Sequence, residues 1–170
     1  RGGVPPPPEL PEVETTRRGI EPHVRGRHIR SLRLHDRRLR WPVAANIPAL
    51  VQGQRILQAG RRAKYLLLTL ERGTLIVHLG MSGSLRVLPA ATPRLIHDHF
   101  DLELDSGQTL RFNDPRRFGS LHFTADDPAD HPLLAELAPE PSDDSFDGAY
   151  LWRITRRRRV AIKQLVMNAK

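Results

Sequence analysis

Short runs in which apolar and polar residues alternate occupy the middle of the chain. Turn residues separate neighbouring runs, for example at 71–73 and at 105–107. Apolar and polar residues that alternate with a period of two residues, in runs bounded by turn residues, are typical of strands in an antiparallel meander or sandwich. The predicted strands are Ile29–Leu34, Arg55–Leu57, Lys64–Leu70, Thr74–His78, Ser84–Leu88, His99–Leu104, Thr109–Asn113 and Ser120–Phe123.

Helical patterns lie on both sides of these runs. After Pro11 the acidic residues come first and Arg17 and Arg18 come last, which is the charge order that suits a helix dipole. Near the other end, apolar residues at helical spacing follow four consecutive arginines and indicate a basic helix. The predicted fold class is therefore α+β, mainly β, with an antiparallel β-sandwich flanked by an N-terminal helix and a C-terminal helix. The predicted helical segments are 11–20, 47–51, a turn at 133–137, and 151–170.

The length and apolar content suit one domain. With 170 residues, 39% of them hydrophobic, the chain can bury one core but not two independent ones. Residues 1–7 are rich in Gly and Pro, so we expect a disordered extension or a cloning remnant there. The domain itself is predicted to occupy 8–150, with the basic helix of 151–170 after it.

Basic residues outnumber acidic ones, and most of them are arginine. The 27 Lys and Arg residues against 19 Asp and Glu residues give a net charge of +8. The planar guanidinium suits phosphate oxygens, so a polyanion is the expected partner. The alternative is a solvated basic surface with no specific ligand, and charge alone does not separate the two.

Cysteine is absent from the sequence, which excludes disulfides, thiolate catalysis and cysteine-based zinc sites within it. The short cluster His97-Asp98-His99 does not supply a complete ligand set, so no metal is predicted. The sequence contains neither a long apolar stretch nor a signal-peptide pattern. We expect a monomeric, cytoplasmic protein that does not contact a membrane.

Four separated motifs occur in a recognisable order. They are Pro-Glu-Leu-Pro-Glu-Val-Glu-Thr from residue 8, Arg-Arg-Ala-Lys-Tyr from 61, His-Leu-Gly-Met-Ser-Gly-Ser from 78 and Asn-Asp-Pro-Arg-Arg-Phe-Gly from 113. Together they resemble the formamidopyrimidine-DNA glycosylase family, and the similarity runs from Pro8 to the end of the chain. The opening motif resembles the oxidised-purine enzymes more than their endonuclease VIII relatives.

The resemblance implies a repair enzyme that binds damaged double-stranded DNA. It implies removal of oxidised purines, such as 8-oxoguanine and formamidopyrimidines, followed by strand cleavage through β,δ-elimination, with no cofactor in the chemical step. Family members continue into a helix-two-turn-helix module and usually a zinc finger, which the sequence through Lys170 does not include. The chain thus resembles an N-terminal catalytic domain.

The resemblance also assigns a catalytic set. The nitrogen of Pro8 corresponds to the nucleophile, Glu9 to the general acid/base, Glu12 to an orienting carboxylate and Lys64 to a phosphate contact beside the damaged nucleotide. For Glu9 and Glu12 the structural alternative is a capping or dipole role at a helix start. Because Pro7 precedes Pro8, that nitrogen is a tertiary amide without a reactive lone pair. We therefore expect the printed chain to be inactive in excision and strand cleavage.

A second set corresponds to DNA contacts. His78 is implied to bind phosphate, Met81 to fill the space left by a flipped nucleotide, Phe118 to wedge between base pairs and Arg116 to bond the orphaned base. Arg117 belongs to the same loop, where it and Asp114 are also expected to give support. Taken singly, Met81 and Phe118 would more often be core residues. Two other functions stay open: a non-catalytic DNA-binding or damage-sensing module, and a basic β-domain that binds RNA or protein.

Overall fold

The computed structural model describes the backbone of residues 9–135 and 137 and the side chains of 12–135 and 137. The chain divides into two compact units, Arg1–Phe123 and Thr124–Lys170. The expectations for residues 1–7, for Pro8, for the domain end at 138–150 and for the C-terminal helix at 151–170 lie outside the described residues.

Eight strands form two four-stranded sheets. In chain order they are β1 Ile29–Leu34, β2 Ile56–Arg62, β3 Tyr65–Leu70, β4 Thr74–His78, β5 Ser84–Pro89, β6 Asp98–Leu104, β7 Gln108–Asn113 and β8 Ser120–Thr124. One sheet has the order β1-β6-β7-β5 and the other has the order β2-β3-β4-β8. The registers of β1–β6, β6–β7, β5–β7, β2–β3 and β3–β4 are all antiparallel. The predicted mainly β, antiparallel class is confirmed.

The N-terminal helix is longer than predicted. It is α1, Glu9–Val24, and it continues through Pro22 because Val13, Ile20 and Val24 bury one face against the rest of the unit. Burial of that face outweighs the local cost of a proline in the last turn. The remaining helices are α2 Ile47–Val51, a 3-10 turn Pro128–Asp130 that was predicted as loop, and α3 Pro132–Ala135 in place of the turn at 133–137.

The prediction for β2 was wrong in extent. The alternation was expected to end at Leu57, but the strand runs on to Arg62. An irregularity in the β2–β3 register between Ile56 and Gln58 shifts the side-chain alternation, so that Leu57 is exposed while Ala59 and Arg62 are buried. A bulge of this kind breaks the period of two on which the prediction depended.

One hydrophobic core joins the two sheets and α1. Its side chains come from both sheets, with Leu102 and Phe112 on one and Leu66 and Val77 on the other. Phe112 is fully buried and stacks on Phe100, with ring centroids 5.3 Å apart. This shared core makes the two sheets the layers of a sandwich.

Glu14 attaches α1 to the sheet through arginines. Its carboxylate accepts hydrogen bonds from Arg17 and Arg18 on the same helix and from Arg61 Nε of β2, at 3.1 Å. Arg61 Nη1 in turn donates to the Ala63 carbonyl at 2.8 Å. The helix is therefore tied to the turn between β2 and β3.

A buried ion pair holds the other sheet together. Arg111 of β7 donates through two nitrogens to both carboxylate oxygens of Asp101 on β6, at 2.8 and 2.9 Å, and its side chain is only 3% exposed. It also donates to the carbonyls of Thr92 and Pro93 in the β5–β6 connection. Burial raises the pKa of Asp101, but the Arg111 hydrogen bonds outweigh it and the net pKa is lowered.

Replacing Arg111 with Met is expected to lower the free energy of unfolding by about 3–5 kcal/mol, because it leaves a buried carboxylate without its partner. Urea titration followed by fluorescence measures this change. The control is Arg33→Met on neighbouring β1, where the exposed Arg33–Glu103 pair at 3.5 Å should contribute about 1 kcal/mol or less. Equal losses in the two variants would contradict the structural role of Arg111.

Replacing Glu14 with Gln is expected to change the acid stability of the chain. Hydrogen bonds from Arg17, and then from Arg18 and Arg61, lower the pKa of Glu14 from 4.5 to about 2, against the opposing effect of burial. A carboxylate with a lowered folded-state pKa stabilises the fold above its unfolded pKa of 4.5. That stabilisation is lost as pH falls through about 2.

The stability difference between wild type and Glu14→Gln should accordingly be constant above about pH 5.5 and shrink toward pH 2. Urea titrations at successive pH values measure it. Glu21→Gln is the matched control, since among the contacts the structure defines the Glu21 carboxylate pairs only with Arg25, the residue just after α1, at 3.3 Å. A difference that does not vary with pH would show that Glu14 is not the titrating group.

Candidate functional site

Two loops cross between the sheets at the same end of the sandwich. Loop 79–83 leads from β4 to β5, and loop 114–119 leads from β7 to β8. Since β4 neighbours β8 in one sheet and β5 neighbours β7 in the other, both crossings occur at one corner. The pairing of Ser84 with Asn113 places their ends side by side.

A cavity of about 340 Å³ opens beside this corner. It brings together four predicted site residues from separate elements: Lys64, His78, Met81 and Phe118. The complete lining is Arg40, Trp41, Lys64, Tyr65, His78, Gly80, Met81, Phe118 and Ser120. Lys64, which the resemblance assigned to the catalytic set, thus lies in one place with three residues of the DNA-contact set.

Lys64 lies in the tight turn between β2 and β3. The residue before it, Ala63, has a φ of 54°, a left-handed conformation that is uncommon for residues with a side chain. The hydrogen bond from Arg61 to the Ala63 carbonyl supports that conformation. The Lys64 side chain is exposed at the cavity, where its ammonium can meet an anion.

His78 is the last residue of β4 and is half-buried. Its Nδ1 accepts the Gly80 N–H at 3.2 Å, so a neutral ring carries its proton on Nε2. The Tyr65 ring lies 5.1 Å away between centroids. Burial raises the pKa of the Tyr65 phenol, opposed by the charge of Arg40, so the phenol is a neutral donor at physiological pH.

The two crossing loops approach each other through glycine. Gly80 has a φ of 68°, and a Cβ there would lie 2.7 Å from the Gly119 nitrogen. A Cβ on Gly119 would lie 2.5 Å from the His78 carbonyl oxygen. Side chains at these positions would separate the loops, so glycine is what permits the contact.

Both apolar candidates are exposed on these loops. Met81 is 57% exposed and Phe118 is 43% exposed, which excludes the alternative that they are core residues. The Arg116 guanidinium lies 4.8 Å from the Phe118 ring centroid, a cation–π distance. Exposed apolar side chains on well-braced loops are suited to enter a partner rather than to stabilise the fold.

Asp114 braces the second loop, as its position predicted. Its carboxyl oxygens accept from Ser82 Oγ at 2.6 Å and from the Gly119 N–H at 2.8 Å. Arg117 has a φ of 59° and lines a different cavity, of about 380 Å³. The structure therefore does not place Arg117 with the group at the 340 Å³ cavity.

The N-terminal candidates are only partly described. The backbone of Glu9 begins α1, whereas its side chain and all of Pro8 lie outside the described residues. Glu12 is exposed and borders a shallow depression with Thr16, Leu79, Ser84 and others, at the loop 79–83. Glu12 thus lies apart from the cavity that holds Lys64.

The sequence did not indicate that Arg40, Trp41 and Tyr65 line the cavity. Trp41 is exposed, and the Arg40 guanidinium lies 4.7 Å from its ring centroid. Tyr65 belongs to the motif that begins at 61, but the sequence assigned no role to it. The available signal was the adjacent pair Arg40-Trp41 in a segment with no strand pattern, where an exposed tryptophan has no core to fill.

His97, Asp98 and His99 are not arranged as a metal site. Asp98 accepts from the Leu95 N–H and from Asn113, while the His99 ring nitrogens lie 3.0 and 2.9 Å from the carbonyl oxygens of Asp36 and Asp114. Within residues 9–135 and 137, no group of three or more His, Cys, Asp or Glu could hold a metal ion. Across the same residues, no helix is long and apolar enough to cross a membrane.

Comparison with known proteins finds one family throughout. Residues 7–121 match the model of the formamidopyrimidine-DNA glycosylase N-terminal domain. The chain is 53% identical over 161 residues to a formamidopyrimidine-DNA glycosylase of Nitrosococcus oceani and 55% identical over 161 residues to one of Stutzerimonas stutzeri. These alignments cover 95% of the chain and 59% of each relative, so the chain spans about three fifths of their length.

Solved structures give the same result. The Lactococcus lactis Fpg in complex with DNA containing an abasic site matches with a TM-score of 0.65 and 32% identity, over 69% of this chain and 44% of that one. MutM in complex with DNA containing carbocyclic 8-oxo-G matches with a TM-score of 0.66 and 30% identity, over 74% and 47%. By its motifs, its fold and its relatives, the chain belongs to the formamidopyrimidine-DNA glycosylase family.

Proposed function

We propose that the chain is the N-terminal catalytic part of a base-excision repair enzyme that removes oxidised purines from duplex DNA and then cleaves the strand. The convergence of Lys64, His78, Met81 and Phe118 on one cavity carries this proposal. A phosphate-binding cation, a polar ring, a flexible thioether and an aromatic plate are the groups that extrusion of a nucleotide requires.

The exposed loop residues would take the place of the flipped nucleotide. Extrusion costs a few kcal/mol of lost stacking and pairing. Met81 would occupy the vacated stack, Phe118 would wedge into the opposite strand, and Arg116 would hydrogen-bond the orphaned base. Arg116 and Arg117 are both exposed, which leaves their guanidinium groups accessible to DNA.

The phosphates beside the lesion would lie against Lys64 and His78. Both line the same cavity, and Arg40 adds a second cationic group, after Lys64, to its wall. Contacts of this kind determine register and affinity rather than base preference. DNA affinity should therefore fall as salt rises.

The chemical step would use the nitrogen of Pro8 as an amine. Its lone pair forms the bond to the sugar C1′ while the departing base takes the electrons of the glycosidic bond. The departing base takes up the amine proton, which leaves a neutral aminal. Glu9 then protonates the ring oxygen as the C1′–O4′ bond breaks, and the nitrogen lone pair completes an iminium ion. Removal of a C2′ proton then sends electrons into the iminium and expels the 3′ phosphate, and a second elimination removes the 5′ phosphate.

No cofactor takes part in these steps. The zinc of the family's four-cysteine finger needs thiolate ligands, and this sequence contains no cysteine, so its residues do not fit that metal. We further propose action as a monomer in the cytoplasm, where bacterial relatives of this kind would meet chromosomal DNA. The alternative, a damage-sensing module without catalysis, depends on Pro8 remaining an amide.

A free N-terminal amine at Pro8 is expected to allow the protein to form a covalent adduct with DNA. Two forms are compared: the printed chain, and a chain begun at Pro8 after removal of an initiator Met. Each form is prepared in two versions, one by itself and one fused to the C-terminal remainder of the Nitrosococcus oceani relative. Borohydride in the presence of abasic-site duplex should trap an adduct only with the free amine.

The control for that experiment is Glu9→Gln in the chain begun at Pro8, which should bind DNA with nearly unchanged affinity but excise damaged bases far more slowly. An adduct formed equally by the printed chain would contradict the role of the Pro8 nitrogen. Binding of damaged duplex without any adduct in either form would favour the damage-sensing alternative.

Replacing Lys64 with Met is expected to weaken DNA binding and to reduce the salt dependence by the equivalent of about one phosphate contact. Fluorescence anisotropy of a labelled duplex at several KCl concentrations gives the slope. Arg30→Met is the control, because Arg30 is exposed on β1 of the other sheet. An unchanged slope in Lys64→Met would rule out the phosphate contact.

A further inference from the structure

The loop that carries Met81 and the loop that carries Arg116 and Phe118 are joined by side-chain hydrogen bonds. Ser82 Oγ donates to Asp114 Oδ1 at 2.6 Å and accepts the Arg116 backbone N–H at 3.2 Å. The other Asp114 oxygen accepts the Gly119 N–H at 2.8 Å. Ser82 therefore contacts both ends of the segment before Phe118, and we call the pair Ser82 and Asp114 the loop clamp.

The loop clamp lies behind the cavity rather than in it. Asp114 is fully buried, and neither of its residues lines the 340 Å³ cavity. A buried carboxyl group is costly unless its oxygens are hydrogen-bonded, and here both oxygens have a donor. The described polar contacts of the two side chains all lie within the two loops, so their influence on a ligand would pass through Met81, Arg116 and Phe118.

The glycine contact limits how the two loops can move. A Cβ on Gly80 would already lie 2.8 Å from the Phe118 carbonyl carbon, which leaves no space for the loops to approach further. The Ser82–Asp114 hydrogen bond opposes their separation. Steric contact on one side and a short hydrogen bond on the other hold Met81 and Phe118 at a nearly fixed spacing.

A third segment is tied to the same residue. His99, which is buried, has Nε2 at 2.9 Å from the Asp114 carbonyl oxygen and Nδ1 at 3.0 Å from the Asp36 carbonyl oxygen. Carbonyl oxygens only accept, so a ring with one proton can donate to one segment and a ring with two protons can donate to both. The segment that leads to Arg40 and Trp41 thus shares its anchor with the loop clamp.

We propose that Ser82 and Asp114 are positioning residues that make Met81 and the Arg116–Phe118 loop enter the DNA duplex together. The inference rests on the proposed function. Without the loop clamp, each loop would insert on its own, and the two strands at the lesion would be distorted at different times. The loop clamp would thereby couple filling of the vacated stack to wedging of the opposite strand.

The test measures the insertion of the Met81 loop and that of the Arg116–Phe118 loop separately. It uses the full chain in two versions, one by itself and one fused to the relative's C-terminal remainder. Two duplexes contain a tetrahydrofuran abasic analogue. One has 2-aminopurine beside it in the damaged strand, and the other has 2-aminopurine in the opposite strand next to the orphaned base. In stopped flow, the two fluorescence signals of wild type should rise with one shared rate constant.

Ser82→Ala should separate the two rate constants and weaken lesion-specific binding roughly fivefold, which is the effect of one lost hydrogen bond. Affinity for intact duplex should not change, because the phosphate contacts remain. Ser82→Thr keeps the hydroxyl and should restore a shared rate constant. Ser31→Ala is the matched control, since it removes a serine–carboxylate hydrogen bond, to Glu103 at 3.2 Å, between β1 and β6 and outside both loops.

Thermal unfolding of the free variants separates positioning from folding. Ser82→Ala should lose more stability than Ser31→Ala, because it leaves a buried Asp114 oxygen without its donor, but both variants should stay folded at the assay temperature and only Ser82→Ala should separate the signals. If Ser82→Ala behaves as Ser31→Ala does with DNA, the loop-clamp proposal is overturned while the proposed function stands. If wild type gives no lesion-dependent signal in either form, the proposed function fails, and the loop-clamp proposal fails with it.

Discussion

The contact between Gly80 and Gly119 is the constraint on which the rest of the site depends. Two loops cross between the sheets at one corner, and the backbone of each occupies space that a side chain of the other would need. The close approach places the Ser82 hydroxyl against the buried Asp114 carboxyl. That pairing in turn lets apolar residues on both loops remain exposed without collapse into the core.

Arginine serves two physical purposes in this protein. Arg111 and Arg61 are internal connectors: one bridges β6, β7 and the β5–β6 connection, and the other joins α1 to the turn before Lys64. Arg40 and Arg116 instead stack against aromatic rings at the surface, with their charge accessible. The count of 27 Lys and Arg residues therefore overstates the cations available to a polyanion, because some of them are paired inside the fold, a pairing that the net charge of +8 already includes.

The path from helix to cavity is electrostatic. Hydrogen bonds from its arginine partners keep Glu14 ionised. Arg61 donates both to Glu14 and to the Ala63 carbonyl, so it links the helix to the turn. The strained turn then presents Lys64. Under the proposed function, this path would align the start of α1, where the chemistry would occur, with the phosphate contact beside the lesion.

The pattern of residues within a segment predicted its bounds correctly where interactions within that segment determine its structure. The bounds of β1, β4 and α2 agree with the alternation and turn signals, since those segments have regular faces. The alternation failed at β2, where a register irregularity that involves β3 moved Leu57 to the surface. The residues of β2 alone do not encode the register of β3, so the irregularity could not be predicted from that segment.

The sequence by itself determined the family, the mainly β class and the identity of most candidate residues, because these depend on residue types at set spacings. Only the tertiary structure decided that Met81 and Phe118 are exposed, that Arg40, Trp41 and Tyr65 complete the cavity, and that Arg117 faces elsewhere. Exposure and convergence depend on which loops meet across the two sheets. Contacts between residues 30 or more positions apart, such as Ser82 with Asp114, exist only once the chain has folded.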